Sequence, residues 1–296
     1  MSPLLRWPLQ DLQDFFVDCI PHQSALGFQV TECLDGYLSV DMPYADYLTD
    51  SLASETLHEG GIISLMDAVA GSVILTQRTE LRRTATLDLR IDFLRRCRPG
   101  EGVSCKAKPL QISRNVGVTY AEVCDSDKVS PIAVATGTFA IFHGKAEPHK
   151  SGEGDTRFPN AAKSASRIDD SICGNPYEQM MGIRPDDDSE RSDGCMIFRE
   201  HLVGNPYVPA IHGGAVASLL HATAKLVLMR ETAASIPPKM LSCNLEYLGS
   251  PLTRNTFASA SISSISRRFA NVRVIAFQGS PDQPIAAATI QFLLVT

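Results

Sequence analysis

Apolar residues cover nearly every face of one long stretch of this chain, and a second stretch repeats its helical plan. From Gly60 to Thr76, Ile62, Ile63, Leu65, Met66, Val69, Val73, Ile74 and Leu75 point all round a helix of 3.6-residue period, and a second such helix is predicted from Gly214 to Arg230. A helix without a polar face must be enclosed, and a curved antiparallel sheet wrapped around it would do that. "LDLRIDF" (87–93) alternates apolar and polar residues, the two-residue period of a half-buried strand. Ahead of each long helix the pattern predicts a short helix ending at Gly27 or Gly182, where glycine tolerates a left-handed cap. A strand follows around "GYLSVDM" (36–42) or "GCMIFRE" (194–200), and several strands finish each unit.

The same order of elements is written twice. "LHEGGIISLMD" (57–67) returns as "IHGGAVASLLH" (211–221), with His221 where Asp67 stood. His58 and His212, Asp67 and His221, and Phe93 and Tyr247 all stand at one separation. "IPHQSALGF" (20–28) is echoed by "NPYEQMMGI" (175–183), and "TLDLRIDFL" (86–94) by "MLSCNLEYL" (240–248). "ISRNVGVTYAEV" (112–123) is echoed in turn by "ISRRFANVRVIAF" (265–277). A whole domain is therefore duplicated; a solenoid would repeat far shorter units. Residues 143–170 are rich in Gly, Pro, Ser and charge and read as a solvated linker between a first domain over 1–142 and a second over 171–296.

With 296 residues, 44% of them hydrophobic and 20% charged, the chain suits two ordinary globular domains. A net charge of −6 and a pI near 5.6 give no reason to expect nucleic acid as a partner. The eight cysteines are scattered and form no C-x-x-C pair, which fits reduced thiols in a cytoplasmic protein better than a zinc ribbon or a redox motif. "MSPLLRWPLQDLQDFF" lacks the apolar core of a signal peptide, and Asp67 or Lys225 interrupts each long helix, so no membrane span is expected. "HEGGI" opens like a zinc-protease motif, but Ile62 stands at the second ligand's place, and no metal is expected. Neither a G-x-S-x-G elbow nor a phosphate-binding glycine loop is present.

One helix wrapped by a sheet is the hotdog architecture. The run His-x-Gly, four residues, Leu, one residue, Asp resembles the helix signature of hotdog acyl-CoA thioesterases of the phenylacetic-acid-pathway, or PaaI-like, branch. His58, Gly60, Leu65 and Asp67 carry it in the first half; His212, Gly214, Leu219 and His221 stand at the matching places in the second. "TLDLRIDFLRRCRPGE" (86–101) also resembles the family's strand after the helix. The resemblance covers both halves and not the linker. It implies an α+β protein of two tandem hotdog domains packed as an intrachain pseudo-dimer. The implied reaction is hydrolysis of an acyl-CoA thioester to free acid and coenzyme A, with no cofactor.

Thioester hydrolysis needs a donor for the developing oxyanion and a base or nucleophile for the acyl carbon. Unpaired N–H groups at a helix N-terminus can be the donor, and glycine there lets a carbonyl approach closely. A carboxylate two turns into the helix can activate water or attack directly to give an anhydride. In the family each site is built across the pair. Carried over, this implies one complete site: Asp67 and Thr86 from the first half, with Asn205, His212, Gly213 and Gly214 from the second. Thr86 would help hold the water, Asn205 orient the carbonyl, and Gly213 supply the N–H. By residue type alone, Asp67 could equally be a partly exposed helix residue without a role, Thr86 a plain strand residue, and Asn205, before Pro206, a turn residue. The reciprocal site is implied to be degenerate: His58 remains, but Glu59, His221 and Met240 stand where Gly213, Asp67 and Thr86 stood, and nothing matches Asn205.

His58 and His212 read as residues that fix the turn into the helix rather than as acids or bases. His221 reads as a hydrogen-bonded interface histidine, or else as a base in a divergent second site. Arg114, Arg267 and Arg268, which begin edge-like strands, either grip the phosphates of coenzyme A through their guanidinium forks or are solvated strand ends; Arg95 either holds phosphate or marks the turn at Pro99–Gly100. Two other functions compete. One is a catalytically inactive acyl-CoA-binding sensor, against which the joint retention of Asp67, Asn205 and Gly213 argues. The other is a hotdog enoyl-CoA hydratase, whose His/Asp or His/Glu arrangement is not found. Two such chains are expected to associate as a homodimer.

Overall fold

The computed structural model describes residues 9–77, 83–126, 130–142, 174–186, 192–205, 209–233 and 236–294. The expected linker, 143–170, lies outside the described residues. In the first half, α1 (Leu9–Leu12) and α2 (Pro21–Ala25) precede strands β1 (Gln29–Leu34) and β2 (Tyr37–Met42) and the long helix α3 (Glu59–Ser72). Strands β3 (Thr84–Phe93), β4 (Val103–Ile112), β5 (Val116–Cys124) and β6 (Ala133–Ile141) follow. The second half repeats the plan with α4 (Pro176–Met181), β7 (Ile183–Pro185), β8 (Gly194–Met196), a small β9 (Val203–Asn205) and β10 (Ala210–Ile211) pair, and helix α5 (Gly213–Thr232). It closes with β11 (Lys239–Tyr247), β12 (Thr256–Ile265), β13 (Phe269–Phe277) and β14 (Ala286–Leu293).

Apart from the β9–β10 pair, the strands form one 12-stranded antiparallel sheet in the order β1-β2-β4-β5-β6-β3-β11-β14-β13-β12-β8-β7. That order reads the same from both ends, because the equivalent strands β3 and β11 pair at its centre. There Arg90 faces Asn244, its own counterpart in the repeat, which puts a pseudo-twofold axis between them. These are two hotdog units joined edge to edge, with α3 and α5 side by side.

Every residue of α3 from Gly60 to Gly71 is buried, as a helix apolar all round requires. The run Glu59–Gln77 is long and apolar enough to cross a membrane, Asp67 notwithstanding; its most apolar 18-residue window has a mean hydropathy of 1.4 and is 89% buried inside the protein. The two long helices meet through small residues. A Cβ on Gly214 would stand 2.5 Å from Ser64 Cα, and one on Gly60 would stand 2.8 Å from Ser218 Oγ. The halves are therefore pressed together rather than strung like beads. Their short helices are exchanged: α2 lies against β9 and the turn at Glu200–Leu202 of the second half, while α4 lies against Asp46–Leu48 of the first.

Two predicted elements differ. The first long helix stops at Ser72 and tightens into 3-10 turns over Val73–Gln77. The strand expected over 194–200 ends at Met196, because the Phe198 N–H is taken by the Asn255 side chain and the chain then turns inward over Glu200–Leu202.

Candidate active site

Asp67 sits two turns into α3 and is 6% exposed. Its Oδ1 accepts a hydrogen bond of 2.7 Å from Thr86 Oγ1 on β3. Its Oδ2 faces the start of α5, where a Cβ placed on Gly213 would be 2.9 Å away. His212 caps that helix: its Nδ1 accepts the Gly214 N–H at 2.9 Å. Nδ1 also lies 3.7 Å from Asp67 Oδ2, but this is not an ion pair. Burial pushes the His212 pKa below its ordinary value against the opposing pull of Asp67, so the ring is neutral at physiological pH, and its Nδ1 lone pair already serves Gly214. Oδ2 is thereby left without a donor from the ring.

The amides of the first turn have separate fates. Ala215 and Val216 donate to the His212 carbonyl at 3.0 and 3.2 Å, and Gly214 donates to the His212 ring. Among the described residues the Gly213 N–H has no partner. An unpaired amide at the positive end of a helix dipole, beside a carboxylate, makes a place for a polarised carbonyl.

Asp67, Thr86, Asn205, His212 and Gly213 all line one cavity of about 460 Å³. Its apolar wall includes Phe16, Ile20, Ala68, Leu75, Phe139 and Phe142. Gly214, expected beside them, instead serves the crossing of the helices against Ser64.

The reciprocal positions are arranged quite differently. Glu59 and Met240 line a remnant of about 20 Å³, together with Asp50 and Arg95. His58 caps α3 as His212 caps α5, accepting the Gly60 N–H at 3.0 Å. His221 is buried with its ring 5.4 Å from His58 and 6.2 Å from Phe292. Its Nδ1 has no hydrogen-bond partner among the described residues. Burial first, then the charges of Lys225 and His58, push its pKa well below the usual value. A buried charge cluster occupies this side: Lys225 Nζ is 2.9 Å from Glu178 Oε1 and 3.9 Å from Asp50 Oδ1. Burial opposes the charge on Glu178, yet Lys225 and His58 hold its carboxyl well below the ordinary carboxylate range. Ligand atoms of Asp50, His58 and Glu59 lie within 4.8 Å of one another, but Lys225 already supplies the neighbouring counter-charge.

Of the arginines, Arg95 is tied to Asp125 by two bonds of 2.6 and 2.8 Å, and these hold that carboxyl down at about 2. It borders the small remnant rather than the large cavity. Arg114, Arg267 and Arg268 are exposed in the β4–β5 and β12–β13 turns. The strands they lead into are not edges: β5 lies between β4 and β6, and β13 between β14 and β12. The basic residue on the large cavity is Arg83, whose guanidinium stands 5.8 Å from the Phe142 ring centroid.

Sequence reasoning passed over four residues here: Arg83, His22, Gln23 and Tyr247. The His22 ring lies 4.7 Å from that of His212, its Nε2 is 3.2 Å from Ser64 Oγ, and burial pushes its pKa well down. Tyr247 reaches within 3.2 Å of where a Gly213 Cβ would be; burial and the nearby Asp67 push its hydroxyl well above its ordinary value. A signal for the pair His22–Gln23 existed in the mismatch of "IPHQ" with "NPYE" inside the repeat.

Residues 55–132 match a family model described as thioesterase superfamily, and residues 205–293 one described as acyl-CoA thioesterase N-terminal domain. The medium/long-chain acyl-CoA thioesterase YigI of Salmonella typhimurium is 29% identical over 143 residues, which are 43% of this chain and 90% of that protein. Among solved structures, a candidate thioesterase from Novosphingobium aromaticivorans matches with a TM-score of 0.61 at 13% identity, over 90% of this chain and 98% of that one. A protein of unknown function with a hot dog fold from Alicyclobacillus acidocaldarius matches with a TM-score of 0.57 at 13% identity, over 90% of this chain and 96% of that one. At such identities the structures speak for the fold alone.

Proposed function

From a chain that belongs in both halves to the hotdog-fold thioesterase family, we propose an acyl-CoA thioesterase with one composite active site between the halves and a second site that has lost its chemistry. The observation that carries this reading is the close approach of Asp67 Oδ2 to Gly213, whose amide is unpaired among the described residues, across the pseudo-dimer on the wall of the large cavity.

The reaction is R–CO–S–CoA plus water to R–COOH plus coenzyme A. The Gly213 N–H receives the thioester carbonyl oxygen, with Asn205 orienting it, so that charge developing on oxygen meets the positive end of α5. Thr86 fixes Oδ1 of Asp67 and so aims Oδ2. From there Asp67 takes a proton from an attacking water, or itself attacks the acyl carbon to give an anhydride that water opens. Neutral His212 holds the first turn of α5 through the Gly214 N–H. The acyl chain enters the apolar part of the cavity past Ala68 towards Leu75, Phe139 and Phe16, a space suited to a chain of the medium-to-long class named for the relative. Arg83 is our first choice for holding the coenzyme end. Scattered cysteines without a paired motif support a cytoplasmic location, and we include in the reading the pairing of two chains, which sedimentation tests.

Thiol release from a panel of acyl-CoAs tests the reaction. Asp67→Asn should lower kcat by ~10²–10⁴-fold, while Glu59→Gln on the reciprocal side should leave it unchanged. Equal losses would sink the single-site reading. Hydration of an enoyl-CoA without thiol release would point to the hydratase class.

A further inference from the structure

Residue 23 lies on α2, the short helix that reaches across to the second half. Gln23 is 5% exposed and lines the same cavity as Asp67 and Gly213. Among the described residues no hydrogen bond reaches its carboxamide, and the residue stands on the cavity wall. Buried amides are ordinarily paired, so one that faces a cavity unpaired is matched to something that enters it.

The duplication indicates what. The counterpart of Gln23 in "NPYE" is Glu178. The preceding residues behave alike in both halves: His22 lies 4.7 Å from the ring of His212, and Tyr177 stacks at the same 4.7 Å on His58. Glu178 Oε1 then approaches His58 Nε2 at 3.6 Å, beside the start of α3. By the pseudo-twofold relation that sets Arg90 against Asn244, Gln23 corresponds to that position at the start of α5, and it shares the cavity wall with His212. The working side therefore has a glycine and a neutral amide, Gly213 and Gln23, where the reciprocal side has two carboxylates, Glu59 and Glu178. Both exchanges change the same electrostatic quantity. A negative charge stands next to the helix start that borders only the small remnant, and it is missing where an oxyanion would have to form.

We propose that Gln23 donates its side-chain N–H to the thioester carbonyl oxygen, completing with the Gly213 amide an oxyanion hole assembled from both halves. This rests on the thioesterase reading above. Gln23 forms no covalent bond in the step; as water or Asp67 adds to the acyl carbon, the carbonyl π pair moves onto oxygen and the two N–H groups stabilise it until the thiolate leaves.

The test compares Gln23→Met, which keeps length and removes the donor, with Gln23→Glu, alongside wild type and Asp67→Asn. Steady-state thiol release is measured from pH 5 to 8, with thermal melts on each protein. Removal of one oxyanion donor should lower kcat by ~10²–10³-fold with KM little changed. The ratio of Gln23→Glu to wild-type kcat should rise as pH falls, because a protonated carboxyl is again a neutral donor. A merely structural role would not produce that recovery. A Gln23→Met kcat equal to wild type, or a loss confined to KM, would overturn the proposal while Asp67→Asn remained inactive. A wild-type chain without turnover would overturn it together with the thioesterase reading.

Discussion

Substituting Gly213 with alanine separates catalysis from stability in a way that few other changes in this chain would. The added methyl carbon would stand 2.9 Å from Asp67 Oδ2 and 3.2 Å from Tyr247 Cε1 and Cζ. The contact with Asp67 is too short, so the carboxylate must retreat by roughly half an ångström to reach ordinary van der Waals distance. A carboxylate tip can do so cheaply in terms of folding, but Thr86 holds Oδ1 at 2.7 Å and that bond must stretch or turn. Misplacing a reacting group by about 1 Å costs on the order of 10²-fold in rate. Half that displacement, with the carbonyl's approach to the amide also narrowed, should lower kcat by about 10–100-fold, or ~1.4–2.7 kcal/mol in the barrier. Stability should stay near the wild-type value or rise slightly, since the ~1 kcal/mol preference for alanine over glycine belongs to helix interiors and Gly213 opens α5. The expected protein melts at or above the wild-type temperature and turns over poorly. Gly214→Ala is the internal contrast, because its methyl would meet Ser64 Cα at 2.5 Å and must push two helix backbones apart. That variant should lose stability first. A Gly213→Ala protein with undiminished kcat would refute the claim that Asp67 and the substrate carbonyl meet at this amide.

Three further outcomes are expected. Thr86→Val keeps the shape and removes the hydroxyl that fixes Asp67; kcat should fall by about tenfold or more with KM nearly unchanged, and equal kcat would deny Thr86 its aiming role. Lys225→Met leaves the buried carboxylate of Glu178 uncompensated and should destabilise the protein by ~3–5 kcal/mol in denaturant unfolding, with much of the loss recovered by adding Glu178→Gln. Burial keeps His22, His201, His212 and His221 neutral in the folded protein, His201 with a pKa lowered to about 4. Below the unfolded histidine value of about 6.5 only the unfolded chain gains these protons, so stability is lost as pH falls from there, by up to ~1.4 kcal/mol per pH unit for each ring. Melting temperatures that stay flat between pH 7 and 5 would contradict that account.

The candidate site was partly legible beforehand because some of it is local. His-x-Gly puts a ring nitrogen over the amide two residues on, and both copies do so, at 3.0 and 2.9 Å. Asp67 follows at a fixed helical offset. Thr86 was less secure. Strict alternation along 87–93 would turn Leu87 inward with Leu89, Ile91 and Phe93, yet Leu87 is 42% exposed while Leu89 and Ile91 are 0%. The register against β6 shifts between Thr86 and Asp88, and this bulge lets Thr86 turn to Asp67. Pairing with a strand some fifty positions away decides that shift, so periodicity along one strand cannot contain it. Arg95 was equally opaque, since its partner Asp125 is brought to it by the hairpins of the sheet.

By itself, the sequence determined the duplication, the two enclosed helices with their histidine caps, and which half kept a carboxylate and which kept a bare glycine. Those are properties of residue type and short spacing. Only the tertiary structure decided that Asp67 meets Gly213, that one cavity stays open at about 460 Å³ while the other shrinks to about 20 Å³, and that the short helices cross to the opposite half and bring Gln23 and Glu178 to unlike ends. Each of these depends on surfaces of the two halves closing on one another, with small residues at 60, 64, 214 and 218 setting how close the helices come. Distances between residues that far apart in the chain follow from packing, which no local pattern encodes.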